Sequence, residues 1–192
     1  MGSLYLVRHG ETEWSSTGRH TSTTDLELVP KGEEAARALV PWLADVSFER
    51  VLTSPRLRAR RTAELAGFPS ATVDDDLVEW DYGKYEGLTT EQIREHDPTW
   101  TIWDGTTPGG ETAGQVTQRL DRVVVAARKT EGNTLVFAHG HCLPALAARW
   151  LGQPVQFGRS LWLSTASLSV LGNYRESPTI VLWNAQPTEL RR

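Results

Sequence analysis

Leu4-Tyr5-Leu6-Val7-Arg8-His9-Gly10-Glu11 decides how this chain is read. Four apolar residues running into an arginine and a histidine describe a buried strand that delivers two functional side chains at its C-terminal tip. Open α/β sheets hold their ligands at that edge. A histidine there can attack as a nucleophile, and an arginine beside it can hold an oxyanion. A strand ending in two solvated polar residues would carry the same letters, so Arg-His-Gly alone leaves both readings open.

The pattern recurs downstream. Thr134-Leu135-Val136-Phe137-Ala138 is a second short apolar run, and it ends in His139-Gly140-His141. Leu143, Leu146, Ala147, Trp150 and Leu151 then follow at helical spacing. If the two strands are neighbours in a parallel sheet, His9 and His139 meet at one edge. His139 and His141 also suggest a zinc pair, because side chains two apart on extended backbone face the same way. No third His or Cys lies near them and no Asp or Glu partner is obvious, so no metal is expected and His141 reads as a loop residue.

Further motifs fall between the two histidines. They are Arg8-His9-Gly10-Glu11-Thr12-Glu13-Trp14; Gly18-Arg19 with Asp25, Leu28 and Gly32; and Ser54-Pro55-Arg56-Leu57-Arg58-Ala59-Arg60-Arg61-Thr62-Ala63. Leu77-Val78-Glu79 follows, continuing through Gly83 and Glu86-Gly87, then Pro108-Gly109-Gly110-Glu111-Thr112 and His139-Gly140. From Leu4 to about Ser169 this series resembles, in order, the motifs of the histidine phosphatase superfamily, also called phosphoglycerate mutase-like. The resemblance implies a phosphohistidine mechanism without cofactor or metal. It makes His9 the nucleophile, Arg8, Arg58 and His139 the phosphoryl-binding groups, and Glu79 the acid. It gives Ser15, Thr21, Ser22, Tyr82 and Gly140 to the substrate pocket. Ser15 stands where many members have Asn and Ser22 where many have Gly; both hydroxyls could still donate hydrogen bonds.

Chemistry gives those residue types a reason. A phosphate monoester carries about two negative charges at neutral pH, and the planar fork of an arginine matches its oxygens. Ser54-Pro55 starts a helix with Pro55 at its first position, which puts Arg58 in the first turn among free backbone N–H groups. His9 must be neutral to attack, with its other ring nitrogen held by a backbone carbonyl that Gly10 allows to come close. His139, as a cation, would stabilise charge on the transferring group. Glu79 follows an apolar-bounded strand and is favoured over Asp81 and Glu86 as proton donor and later base. Asp74-Asp75-Asp76 reads as a charged loop.

Composition narrows the rest. A length of 192 residues suits one domain over 1–192. No apolar stretch reaches the length of a membrane helix, and no signal peptide is expected. A single cysteine, Cys142, fits a reducing, cytoplasmic setting. The net charge of -4 argues against a nucleic-acid partner; the expected partner is a small phosphorylated substrate, with the oligomeric state unspecified. In the run Arg56, Arg58, Arg60, Arg61, three of the four read as a solvated helix face.

The elements expected are a helix after Pro30-Lys31-Gly32 with Ala35, Ala36, Leu39, Val40 and Leu43 on one face and a break at Pro41; strands at Val51–Thr53 and Ala71–Val73; and a cap-like insertion at about 84–110 with a short helix from Thr90 to Glu95. A long helix over Glu111–Lys129 follows, then an antiparallel pair, 167–171 and 179–183, joined by a Gly/Asn turn. The tail from Gln186 reads as mobile. The fold class is α/β, a three-layer α/β/α sandwich whose mostly parallel central sheet has an antiparallel C-terminal edge. Phosphatase is the first reading and cofactor-dependent phosphoglycerate mutase the second. The insertion holds Lys84 and Arg94 as its only Lys or Arg, where mutases of the family carry an arginine pair. Trp100 and Trp103, at helical spacing, read as packing before pocket wall. A non-catalytic phospho-ligand binder would need a lost nucleophile or acid, and both are present.

Overall fold

A computed structural model describes residues 2–187. Of the tail read as mobile, residues 188–192 lie outside the described residues. The strands β1 (Leu4–Arg8), β2 (Phe48–Thr53), β3 (Thr72–Val73), β4 (Asn133–Ala138), β5 (Leu168–Tyr174) and β6 (Ser177–Ala185) form one sheet in the order β3-β2-β4-β1-β5-β6. The first four run parallel, and β5 and β6 complete an antiparallel edge. The central strands are apolar on both faces because both faces are covered. Leu4, Leu6, Val136 and Ala138 face one core, and Val7, Leu135 and Phe137 the other.

The helices are α1 (Glu13–Ser16), α2 (Pro30–Arg37), α3 (Val40–Leu43), α4 (Leu57–Leu65), α5 (Thr90–Arg94), α6 (Ala113–Lys129) and α7 (Cys142–Trp150). Val116, Leu120 and Val123 of α6 and Leu143, Leu146 and Trp150 of α7 fill the first core. Leu39, Leu43, Ala63 and Ala66 fill the second. Each fully buried aliphatic side chain contributes roughly 1.5–3 kcal/mol. The sandwich expected from the sequence is therefore the one formed.

Register carries this architecture to the site. Val7 pairs with Phe137 and Arg8 with Ala138, and the His9 N–H donates to the Ala138 carbonyl at 3.0 Å. His9 thus leaves β1 beside His139 leaving β4. A slip of one residue would offset the two by about 3.3 Å and turn every side chain of β1 to the other face. Gly10 lets the following loop close: a Cβ there would sit 2.5 Å from the Gly32 carbonyl oxygen at the start of α2.

The break expected at Pro41 splits the helix after Pro30 into two pieces, because Pro41 supplies no N–H and its ring crowds the carbonyl four residues back; other local expectations are corrected. Of the expected apolar face of that helix, Val40 is 40% exposed. Helix α4 starts at Leu57 with Arg56 as its N-cap, two residues after Pro55, because the Asp25 carboxylate takes the Leu57 N–H at 2.7 Å. Arg58 still falls in the first turn. Glu79 follows a 3-10 turn, Asp75–Leu77, rather than a strand, and Asp74 caps that turn by accepting the Asp76 N–H at 3.0 Å. The terminal hairpin turns at Arg175 and Glu176; Gly172 and Asn173 lie within β5, paired to Thr179 and Pro178. Of the arginine run, only Arg60 is exposed; Arg61 is tied to Glu33 and Glu64, and Arg56 is half-buried.

Candidate active site

Three parallel strand tips meet at one point. His9 follows β1, Ser54 follows β2 and His139 follows β4. The His9 and His139 rings lie 5.3 Å apart between centroids. His9 Nδ1 is 2.7 Å from the Gly10 carbonyl oxygen. A carbonyl only accepts, so Nδ1 carries the proton and the lone pair is on Nε2. This is the tautomer a nucleophile needs. His139 is fully buried, with Nε2 2.7 Å from Ser54 Oγ, and its Nδ1 has no protein partner.

Guanidinium groups surround the pair. Arg8 Nη1 donates to the Leu163 carbonyl at 2.6 Å. Arg58, with no exposed surface, donates from Nη1 to Thr24 O and from Nη2 to Thr21 O, each at 3.0 Å. The Nε atoms of Arg8, Arg56 and Arg58 are buried without a hydrogen-bond partner. Among the described residues none of these three arginines has an ion-pair partner. Glu86 braces the loop that receives Arg58: it accepts the Ser22 N–H at 2.9 Å, the Ser22 hydroxyl at 2.6 Å and the Thr24 N–H at 3.0 Å.

Burial, reinforced by positive charge, makes both histidines poor bases. Burial, then Arg58 and Arg8, hold His9 well below the usual histidine range. His139 is depressed likewise by burial, then Arg58, His9, Arg56 and Arg8. In the protein alone His139 is therefore held neutral; the cation expected from the sequence is one between phosphate oxygens. A phosphate dianion between the arginines reverses the local field and favours its protonation.

Glu79 lies across the cleft, 5% exposed. Its carboxylate accepts three backbone N–H groups: Trp80 at 2.9 Å, His141 at 2.9 Å and Cys142 at 2.7 Å. The last two open α7, whose N-terminal end favours an anion. A partly buried ion pair holds the segment that carries Glu79. Arg119 bonds Glu111 at 2.8 and 2.9 Å and donates to the carbonyls of Asp76 and Val78, while Glu111 accepts the Asp81 N–H at 3.0 Å. Asp81 instead caps the next turn through the Gly83 N–H, and Glu86 is committed to its loop.

A cleft of about 410 Å³ opens above these groups, lined by Arg8, His9, Ser15, Thr21, Glu79, Tyr82 and Gly140 among others. Arg58 and His139 lie beneath its floor. Gly140 is where backbone must pass close to Arg8: an added Cβ would meet the guanidinium carbon at 3.1 Å. The Ser15 hydroxyl is engaged in capping α1 with Thr12, and Ser22 is off the lining, spent on Glu86. Neither hydroxyl is a free donor to the cleft, contrary to what the sequence suggested. The two tryptophans part company: Trp100 is buried against His20 and Tyr85, whereas Trp103 lines the cleft. His141 also lines it, with Nδ1 2.6 Å from the Tyr82 hydroxyl, so the supposed zinc pair turns to different partners. Sequence reasoning passed over His20 and Trp162; it met Arg56 as part of a basic run, His141 as a loop residue and Glu86 as a rival acid, and gave none of them its place here.

Residues 4–186 match the histidine phosphatase superfamily (branch 1). An acid phosphatase of Mycobacterium tuberculosis is 41% identical, with 88% of this chain and 85% of that one covered. The sedoheptulose 1,7-bisphosphatase of Saccharomyces cerevisiae is 38% identical over 79% of this chain and 68% of that one. The solved structure of a Mycobacterium tuberculosis open reading frame superposes with a TM-score of 0.94 at 37% identity, covering 97% of this chain and 98% of that one. Fold, strand-tip geometry and sequence agree: this chain belongs to the histidine phosphatase superfamily.

Proposed function

We propose that this chain is a phosphomonoester hydrolase that works through a phosphohistidine on His9 and acts on small-molecule phosphate esters. One observation carries the reading. Buried donors of Arg8, Arg56, Arg58 and His139 lack protein partners around a histidine whose lone pair is free. Leaving such groups unpaired is costly, and a phosphoryl group pairs them. In the first step His9 Nε2 forms a bond to phosphorus, the P–O ester bond breaks, and Glu79 gives the leaving alkoxide its proton. In the second, water attacks phosphorus, Glu79 takes the proton back and His9 is released. The work is positioning and charge stabilisation, supplied by the arginines without a metal. Thr90 and Trp103 bring the segment 84–110 over the cleft as a cap on a single catalytic unit. We place the reaction in the cytoplasm, on the strength of a lone, buried Cys142 thiol that burial pushes up to about 12. Among the described residues no helix is long and apolar enough to cross a membrane.

The mutase reading loses ground on one contact. Neither Lys84 nor Arg94 lines the cleft, and Arg94 donates to the Trp100 carbonyl at 2.9 Å. Neither cation of the cap is then placed to grip a small carboxylate.

Quenching turnover of a phosphorus-labelled ester should leave acid-labile, base-stable phosphate on the wild-type chain and none on His9→Ala. Label on the variant would contradict the assignment, and rapid conversion of 3-phosphoglycerate to 2-phosphoglycerate with catalytic bisphosphoglycerate would hand the site to a mutase. Glu79→Gln should lower kcat by roughly a hundredfold or more on alkyl phosphates and far less on aryl phosphates, whose phenolate leaves unaided; equal losses would remove Glu79 as acid. The histidines also set a pH signature. Neutral His9 is the competent form and its folded pKa lies below the ordinary value, so the acid limb of kcat/KM should fall well below pH 6.5; a limb centred at 6.5 would contradict burial as the cause. By linkage, His20 and His141, depressed to about 4, keep their contribution to stability above the ordinary value and lose it as pH falls from 6.5 toward 4, so urea midpoints should decline across that window.

A further inference from the structure

The motif Ser54–Ala63 brings Arg56 and Arg58 to the site, but the reaction leaves its first residue unused. Ser54 has no exposed surface. It follows β2 directly, and strand register fixes its place. Thr53 pairs with Phe137 of β4, and the Ser54 N–H donates to the Phe137 carbonyl at 2.9 Å. His139 leaves β4 two residues after Phe137, so the serine hydroxyl meets its ring, with Oγ 2.7 Å from Nε2.

Neighbouring contacts give that bond a direction. Ser54 Oγ accepts the Arg56 N–H at 3.3 Å. An N–H only donates, so this contact occupies a lone pair and leaves the hydroxyl proton free. Among the described residues, the acceptor for that proton is His139 Nε2. In a neutral imidazole whose Nε2 accepts, Nδ1 carries the proton. Nδ1 is the ring nitrogen that is buried without a protein partner. It is therefore a donor, as an anion requires. The opposite tautomer would set the Nε2 proton against the Ser54 proton and offer a lone pair to phosphoryl oxygens.

The same hydroxyl suits the charged ring. The groups whose charge acts on His139 are Arg58, His9, Arg56 and Arg8, so a proton is gained there only when an anion answers them. Nε2 then becomes a donor, and a hydroxyl can turn to accept from it. A carboxylate in this place would hold the cation permanently, and a methyl group would serve neither state.

We propose that Ser54 is a positioning residue: its hydroxyl holds His139 with the Nδ1 proton available to the phosphoryl group, donating to Nε2 in the protein alone and accepting from it once an anion is bound. This rests on the phosphatase reading above and adds a residue to that site.

Two measurements on the full chain test it. Nitrogen-15 NMR of the histidine rings at neutral pH should show wild-type His139 protonated at Nδ1 alone, and at both nitrogens after addition of orthovanadate; this needs no variant. Ser54→Ala should give a His139 ring with protonated Nε2 in part of the population. It should also weaken orthovanadate binding and lower kcat/KM on p-nitrophenyl phosphate, each about tenfold, the scale of one hydrogen bond to a charged group. Ser54→Thr, which keeps the hydroxyl, should restore the Nδ1 tautomer and most of the affinity. Wild-type His139 protonated at Nε2 alone overturns the inference, as does a Ser54→Ala chain with the Nδ1 tautomer and full orthovanadate affinity. A folded Ser54→Thr chain no better than Ser54→Ala overturns it too, leaving Ser54 a packing role. None of these outcomes touches the phosphatase reading, which falls instead if the folded wild-type chain releases no phosphate from p-nitrophenyl phosphate.

Discussion

Three guanidinium groups sit around two histidines with no carboxylate paired to them, and the rest of the site follows from that arrangement. Burying a charge costs several kcal/mol unless dipoles or a counter-ion answer it. The protein answers in part with carbonyls: Leu163 for Arg8, and Thr21 and Thr24 for Arg58. Each carbonyl needs its own support, which explains why Glu86 is spent on the loop 22–24 and Asp25 on the start of α4. What the carbonyls leave unanswered is the affinity of the site for an anion. Burial and that same positive field together keep His9 and His139 neutral, so the arrangement that favours an anion also suits the role proposed for His9.

Strand register converts that electrostatic cluster into a reactive geometry. Parallel pairing of β1 with β4 sets His9 beside His139, and β2 on the far side of β4 brings Ser54 to His139. Glu79 approaches from a separate segment and is fixed twice, by the N-terminus of α7 and by the partly buried Arg119–Glu111 pair that ties down residues 76–81. The carboxyl proposed as the acid is thereby held independently of the groups proposed to bind phosphate. A substitution in α6 at Arg119 reaches the chemistry through the backbone rather than through contact.

The sequence was most legible where one local rule dominated. Continuous apolar runs located β1 and β4, helical spacing located α7, and the two His-Gly steps located the site. It was least legible where a distant partner set the outcome. Asp25, far back in the chain, delays the start of α4 to Leu57. Arg175, at φ 57, takes the hairpin turn that Gly172 and Asn173 seemed to offer, because the pairing of β5 with β6 continues past both. The hydroxyls of Ser15 and Ser22 suited the cleft by type, but a helix cap and Glu86 claim them. Arg56 and His20 belong to the site through tertiary packing alone, and no spacing rule would have found them.

A double displacement at phosphorus is the claim on which this account stands. The direct measurement is the stereochemical course of hydrolysis of a chirally labelled phosphorothioate ester in isotopically labelled water. Transfer to His9 and then to water inverts the centre twice, so the account predicts net retention of configuration. Net inversion would mean that water attacks the ester directly, and would contradict it.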